Sequence, residues 1–435
     1  MYVKEKLISI VKEMAASPAN FVKNPQQDFT RNRKITFESI IYLLLSMGGN
    51  SIYKELLDYF DYKTDTATAS AFVQQRDKIK PLTLEFLLNK FTNSLNINKT
   101  YEGYRLFAVD GSDLNIAHNP KDKDTYFQSL PNSKGFNLLH LNAMYDLCNK
   151  LYIDACIQPG KKENEFRALT DMVDRSEIND NVIVIADRGY ESYNVFAHIE
   201  AKGWKYVIRV KDINSSGITS SLRLPKREEF DQVVNLTLTR KQTNEVKAHP
   251  EFYKLLPKNS TFDYISKDRK SENRFYPISF RVVRFKISDN SYETIITNLS
   301  AFEFSPEKLK KVYHLRWGIE TSFRELKYAI GLTCFHSKKV NYIVQEVFAR
   351  LVMYNFCETI TSHVIIKQKP TKHGYQVNFT VAIQICKHFF RCLDNVHPPD
   401  VEALIQKNTL PVREGRNDPR KIRCKTSVSF NYRVA

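Results

Sequence analysis

Two apolar runs each end on an aspartate, and this pairing constrains the fold more than any other feature. Tyr104-Arg105-Leu106-Phe107-Ala108-Val109 is closed by Asp110, Gly111 and Ser112, which read as a turn; Val182-Ile183-Val184-Ile185-Ala186 leads into Asp187. The second run has no polar residue, the pattern of a strand covered on both faces. Between the two lie strand-like stretches at 138–145 and 151–157 and a helical pattern at 164–176; after them come a helix at 192–202 and a strand at 206–210. Strands first, then helix and strand in alternation, predict a mixed α/β sheet with crossover helices on its faces. Both carboxylates then emerge at one sheet edge, where open α/β sheets place ligands. Taken singly, either aspartate also fits an ordinary turn former, as does Asp113 three residues on.

The flanks read differently. Residues 36–46, 52–59 and 81–95 carry helical apolar spacing, preceded by the basic Arg31, Arg33 and Lys34, so 1–100 reads as a helical N-terminal region whose basic residues make it the expected DNA-binding region. Polar loops and alternating strands at 278–287 and 294–299 make 212–300 a β-rich insertion. Helical signals return at Ser305, an N-cap followed by Pro306 and Glu307. The mixed α/β core is therefore assigned to 101–211 and 301–335, and a helical C-terminal region with a basic tail to 336–435.

Charge narrows the partner. The chain has 65 Lys and Arg against 48 Asp and Glu, a net +17, which favours a polyanion, nucleic acid first. From residue 367 onward there are thirteen basic residues against five acidic ones, fitting either a solvated end or a DNA-contacting arm. No apolar run approaches the ~20 residues of a membrane span. Seven scattered cysteines without paired spacing point to reduced thiols, and Cys386, His388 and Cys392 read as core helix positions rather than a zinc site. His118, His140, His314 and His336 form no ligand pattern in sequence.

The helix after Ser305 carries the third carboxylate. At about 100° per residue, with Tyr313 at zero, Arg316, Glu320, Arg324 and Lys327 fall within one arc of about 80°, beside a buried stripe that includes Val312, Ile319 and Phe323. Such an arc is also what a solvated face with i,i+4 ion pairs looks like, each pair worth a few tenths of a kcal/mol. Yet a metal needs the carboxylate and a phosphodiester needs the cations. Glu325 points away from the arc and reads as solvated; Trp317 reads as packed under the insertion.

Here the residues resemble a family. Tyr313, Arg316, Glu320 and Lys327 match the Tyr-Arg-Glu-Lys signature of bacterial insertion-sequence transposases of the cut-and-paste, Asp-Asp-Glu type. Asp110 in Ala-Val-Asp-Gly-Ser and Asp187 in Ala-Asp-Arg-Gly-Tyr resemble the family's two aspartate motifs, and the segment from Asn32 to Phe37 is similar to its early region. Asp187 follows Asp110 by 77 residues and Glu320 follows by a further 133, a gap that resembles the family's β-strand insertion.

The resemblance implies a ribonuclease-H-like catalytic core and a catalytic and metal-binding triad of Asp110, Asp187 and Glu320. Three carboxylates of this kind hold two Mg²⁺ ions about 4 Å apart, with Mn²⁺ able to substitute. Tyr313, Arg316, Arg324 and Lys327 become DNA phosphate contacts, Arg as a fork and Lys as a point charge. The implied reaction frees a 3′ hydroxyl at the transposon end, closes and reopens a hairpin, and joins the end to target DNA. In hairpin-forming relatives a base flips out onto an aromatic residue, which the sequence leaves unassigned between Trp204 and Trp317. Expected partners are double-stranded DNA, both terminal inverted repeats and target, and a second copy of the chain in a synaptic dimer; the expected location is the bacterial cytoplasm at the nucleoid. A nuclease that cuts without joining, and a domesticated DNA-binding protein without activity, are the rival readings.

Overall fold

The computed structural model describes residues 2–128, 130–268, 271–289, 291–366, 374–392, 399–412 and 427–428. Among them a ten-stranded mixed sheet is built from β1 (Arg105–Ile116), β2 (Tyr126–Phe127), β3 (Phe136–Asp146), β4 (Leu151–Pro159), β5 (Val182–Ala186), β6 (Lys205–Val210), β7 (Phe230–Thr239), β8 (Tyr253–Leu255), β9 (Phe275–Ser288) and β10 (Ser291–Thr297). Strands β4, β3, β1, β5, β6 and β10 lie side by side in that order, and β9, β7 and β8 continue the sheet. Pairing is antiparallel from β4 to β1, parallel across β1, β5 and β6, and antiparallel again from β6 to β9. The strands of 212–300 thus extend the same sheet, because β10 hydrogen-bonds directly to β6.

Period-two alternation explains how the sheet is sandwiched. Phe107, Val109, Val184 and Ala186 join the main core, whereas Leu106, Ile183 and Ile185 face a second apolar cluster on the opposite side. That second cluster is closed by Leu309, Val312 and Tyr313 of the helix that follows β10.

The N-terminal region is helical: α1 (Tyr2–Ala16), α2 (Phe37–Ser46), α3 (Ile52–Tyr59), α4 (Ala69–Asp77) and α5 (Thr83–Ser94). Thr36, Ser51 and Thr68 cap α2, α3 and α4 by accepting backbone N–H groups three residues on, which sets where each helix starts. The crossover helices are α6 (Glu165–Asp174) and α7 (Tyr193–Ala201), with a short α8 (Asn244–Ala248) beside β8. Beyond β10 run α9 (Pro306–Leu315), α10 (Trp317–Glu325) and a wide π turn at Leu326–Ile330, ended by Gly331 at φ 93°. Then come α11 (Val340–Thr361), α12 (Phe379–Arg391) and α13 (Val401–Lys407).

Helix α11 is buried on nearly every side and ties the N-terminal helices to the sheet. Its Asn355 accepts the Tyr152 N–H at 2.8 Å and donates to the Tyr152 carbonyl at 2.7 Å, closing the free edge of β4. Its Glu346 meets Arg76 of α4 at 3.0 Å in a buried ion pair. Ten of the thirteen basic tail residues lie outside the described residues. Lys387 is buried and donates to the Met47 carbonyl, so it is a core group and no part of a solvated arm. No helix among the described residues is long and apolar enough to cross a membrane.

Candidate active site

Parallel pairing of β1 with β5 sets Val109 opposite Ala186, so Asp110 and Asp187, the next residues, leave neighbouring strands side by side. The expected turn at 110–112 is not found: β5 ends, but β1 continues to Ile116 because β3 pairs with it along that whole stretch. Asp110 accepts the Gly111 N–H at 2.9 Å, and Asp187 accepts the Gly189 N–H at 2.8 Å. Both carboxylates are half-buried.

Glu320 reaches the same place from α10 through Arg316. The Arg316 guanidinium donates to Glu320 Oε1 at 2.8 Å and lies 3.8 Å from Asp110 Oδ2. Arg316 is itself buried, and its Nε has no partner. Burial pushes the Asp110 carboxyl up to about 6; Arg316 opposes the rise, and the charges of Asp187 and Glu320 add to it. One arginine therefore does not balance the three carboxylates. Their hard oxygen donors and residual repulsion suit a divalent cation of the Mg²⁺ or Mn²⁺ type.

The rest of the arc divides. Lys327 donates to Ser112 Oγ at 2.7 Å and to the Asp113 carbonyl at 3.2 Å, placing its charge over the strand that bears Asp110. Tyr313 is turned into the second apolar cluster; its hydroxyl is buried without a well-formed hydrogen bond, beside Arg209. Arg324 is exposed, and the partner of Glu320 is Arg316. A straight 100° wheel fails here for a local reason. The Arg316 N–H bonds back to the Tyr313 carbonyl and the Ile319 N–H to that of Arg316, both tight three-residue steps, while the π turn after Glu325 winds more slowly.

Two expectations on this helix are corrected. Glu325 is not solvated: it accepts the Tyr354 hydroxyl at 3.0 Å, and burial raises its carboxyl. Trp317 is not packed under the insertion but 54% exposed, with the Arg316 guanidinium 5.4 Å from its ring centre. Trp204 is the buried tryptophan, edge-on to Phe107.

The histidines hold a further correction. His140 on β3 stands directly opposite Asp113 on β1, so Asp113 is a strand residue rather than a turn. Its Nδ1 lies 2.8 Å from Asp113 and 3.3 Å from Glu163, and its Nε2 lies 3.1 Å from Glu165. Burial works against its charge, but the hydrogen bonds to Asp113 and Glu165 outweigh it and lift the imidazole to about 9. Asp113, His140 and Glu163 are grouped closely enough to share a metal ion. With carboxylates on both nitrogens, however, the ring is a bound imidazolium and not a free ligand. Sequence reasoning set His140 aside and passed over Glu165 and the buried Tyr190; a hairpin register placing His140 opposite Asp113 is the one signal that would have exposed the first.

The mixed sheet and the carboxylates gathered at its edge suit an enzyme that works through a divalent cation. Residues 101–356 match the family described as Transposase DDE domain, and the chain belongs to that family of enzymes that cut and transfer DNA with divalent metal ions. Among solved structures, a piggyBac transposase synaptic complex with hairpin DNA, determined by cryo-EM, aligns at a TM-score of 0.47 and 11% identity, covering 90% of this chain and 79% of that one. Comparison with curated proteins found no match.

Proposed function

We propose that this chain is the transposase of an insertion sequence, with Asp110, Asp187 and Glu320 as the catalytic and metal-binding triad. The observation that carries this is the bridging of Glu320 and Asp110 by Arg316, beside Asp187 on the adjacent parallel strand. The order β4-β3-β1-β5-β6, antiparallel and then parallel, supports a ribonuclease-H-like core.

Mg²⁺ is the expected metal, and bound at these oxygens it would stabilise charge on the attacking and leaving oxygens of an in-line displacement. The chain's own groups have separate tasks. The three carboxylates supply hard anionic oxygens. Arg316 links Glu320 to Asp110 and offers a fork to the scissile phosphate, while Lys327 sets a point charge above the β1 strand. Tyr313 offers a buried hydroxyl, and exposed Arg324 is left to contact DNA away from the triad. Exposed Trp317 is the better of the two tryptophans for stacking an unpaired base. The DNA partners are the two ends of the element and its target, brought together by a dimer.

The test uses a duplex ending in the inverted repeats that flank the gene. Asp110→Ala, Asp187→Ala and Glu320→Ala should each abolish 3′-strand cleavage while keeping duplex binding; cleavage retained by any one removes that residue from the triad. Wild-type protein that cleaves but never joins ends to target DNA is a nuclease instead.

A further inference from the structure

Glu165 opens α6, whose N-cap Asn164 accepts the Arg167 N–H at 2.9 Å. Its side chain turns back across the sheet edge. A β-carbon added to Gly111 would lie 2.3 Å from Glu165 Oε1 and 2.4 Å from His140 Nε2. One added to Gly189 would lie 2.9 Å from Asp187 Oδ1 and 3.3 Å from Glu165 Oε2. Gly111 directly follows Asp110, and Gly189 comes two residues after Asp187. Each aspartate is thus followed by a glycine at the point where Glu165 enters, and one position near Gly189 is within reach of both the Asp187 and Glu165 carboxylates.

Two further features point the same way. His140, anchored on its far side by Asp113, holds Glu165 Oε1 at 3.1 Å and leaves Oε2 toward Asp187. The Tyr190 hydroxyl is fully buried and without a hydrogen-bond partner, and the charges it feels are those of Glu165, Asp110, Asp187 and Arg316. A buried donor of that kind is expected to find an acceptor, and none of these side chains supplies one. A hydrated cation among the carboxylates brings the missing oxygen.

We propose that Glu165 is a fourth carboxylate of the cation-binding centre and that His140 is the positioning residue that holds it there. The proposal rests on the triad reading above. It also has a chemical reason: an octahedral ion takes six oxygens, and two ions need more protein oxygens or waters than three carboxylates provide.

The test is Mn²⁺ binding to the full chain without DNA, read as the electron paramagnetic resonance signal of free Mn²⁺, with melting temperature recorded for each variant. Glu165→Gln should weaken Mn²⁺ binding about ten-fold, and His140→Gln should weaken it less. Gly111→Ala removes no carboxylate but displaces Glu165 and the His140 ring, so it should weaken binding in the same direction; it carries the test if Glu165→Gln fails to fold. Wild-type Mn²⁺ affinity in both Glu165→Gln and Gly111→Ala, with binding lost in Asp110→Asn, overturns the fourth carboxylate alone. Unchanged binding in Asp110→Asn overturns the triad reading, and this proposal with it.

Discussion

The Lys327 ammonium donates to the Ser112 hydroxyl at 2.7 Å across 215 residues of sequence. This contact fixes the end of the glutamate helix against the strand that carries Asp110. Its position on the π turn matters, because one extra residue in that turn changes where the side chain points.

Lys327→Met should therefore lower end cleavage at least ten-fold without raising the Mg²⁺ concentration required, since the lysine donates to the Ser112 hydroxyl and the Asp113 carbonyl. The stability loss should be about 1.5–3 kcal/mol, the usual range for a hydrogen bond involving a charged group. Ser112→Ala removes only the acceptor and should cost less in both respects. Cleavage rates over a Mg²⁺ titration, with urea unfolding in parallel, check this; a raised Mg²⁺ requirement in Lys327→Met would move the lysine into the metal site.

With Asp110 as a metal ligand, the reaction should depend on pH. Burial lifts it to about 6, above its ordinary 3.8, so the neutral form persists at mildly acidic pH. A cation needs the ionised form. Cleavage should fall as pH drops through about 6, and because the metal competes with the proton, that acid limb should move to lower pH as Mg²⁺ is raised. Rate against pH at two Mg²⁺ concentrations measures the shift, and a limb that stays fixed assigns the titration to another group.

Arg76 and Glu346 make the next case. Arg76 is 1% exposed and donates to Glu346 at 3.0 Å and Gln345 at 2.9 Å, joining α4 to α11. On the other side Glu346 meets His336 at 3.0 Å and Arg350 at 3.4 Å. Burial opposes its ionisation, yet Arg76 and His336 hold its carboxyl far below the usual range. Arg76→Met should destabilise the chain by about 3 kcal/mol, the lower end of the cost of breaking a buried pair, because His336 and Arg350 still face Glu346. Arg76→Met with Glu346→Gln should recover part of that loss. Denaturant unfolding of the single and double variants measures the coupling, and additive losses would show that the pair contributes little.

What the sequence disclosed, and what it hid, follows from the range of the interactions. Val182 to Ala186 is legible because five apolar residues in a row fit a covered strand, and Ser305 is legible because a cap acts within one turn. Asp110 was assigned to a turn on local grounds, but β3 extends β1 past it, a partner no local pattern reveals. His140 and Asp113 meet only through strand register, and Glu165 joins them only after α6 is docked. Glu325 was misread for a related reason: the wheel gave its direction, but not that Tyr354 of α11 would cover that side.

Glu358 gives the last prediction, with the opposite sign to a salt-bridged carboxylate. It is 6% exposed on α11, and burial pushes it up to about 7 from an ordinary 4.5; Lys150 opposes this and the Glu325 charge adds to it. A carboxyl raised in the folded state holds its proton more tightly there than in the unfolded chain. Its contribution is fully present below about pH 4.5 and is lost as pH rises through about 7. Glu358→Gln keeps a polar group near Thr361 without the charge. It should leave stability nearly unchanged at pH 5 and raise it at pH 8, on the order of 2 kcal/mol. Thermal unfolding at the two pH values decides it, and a variant less stable at pH 8 would mean that Glu358 is ionised and paired in the folded protein.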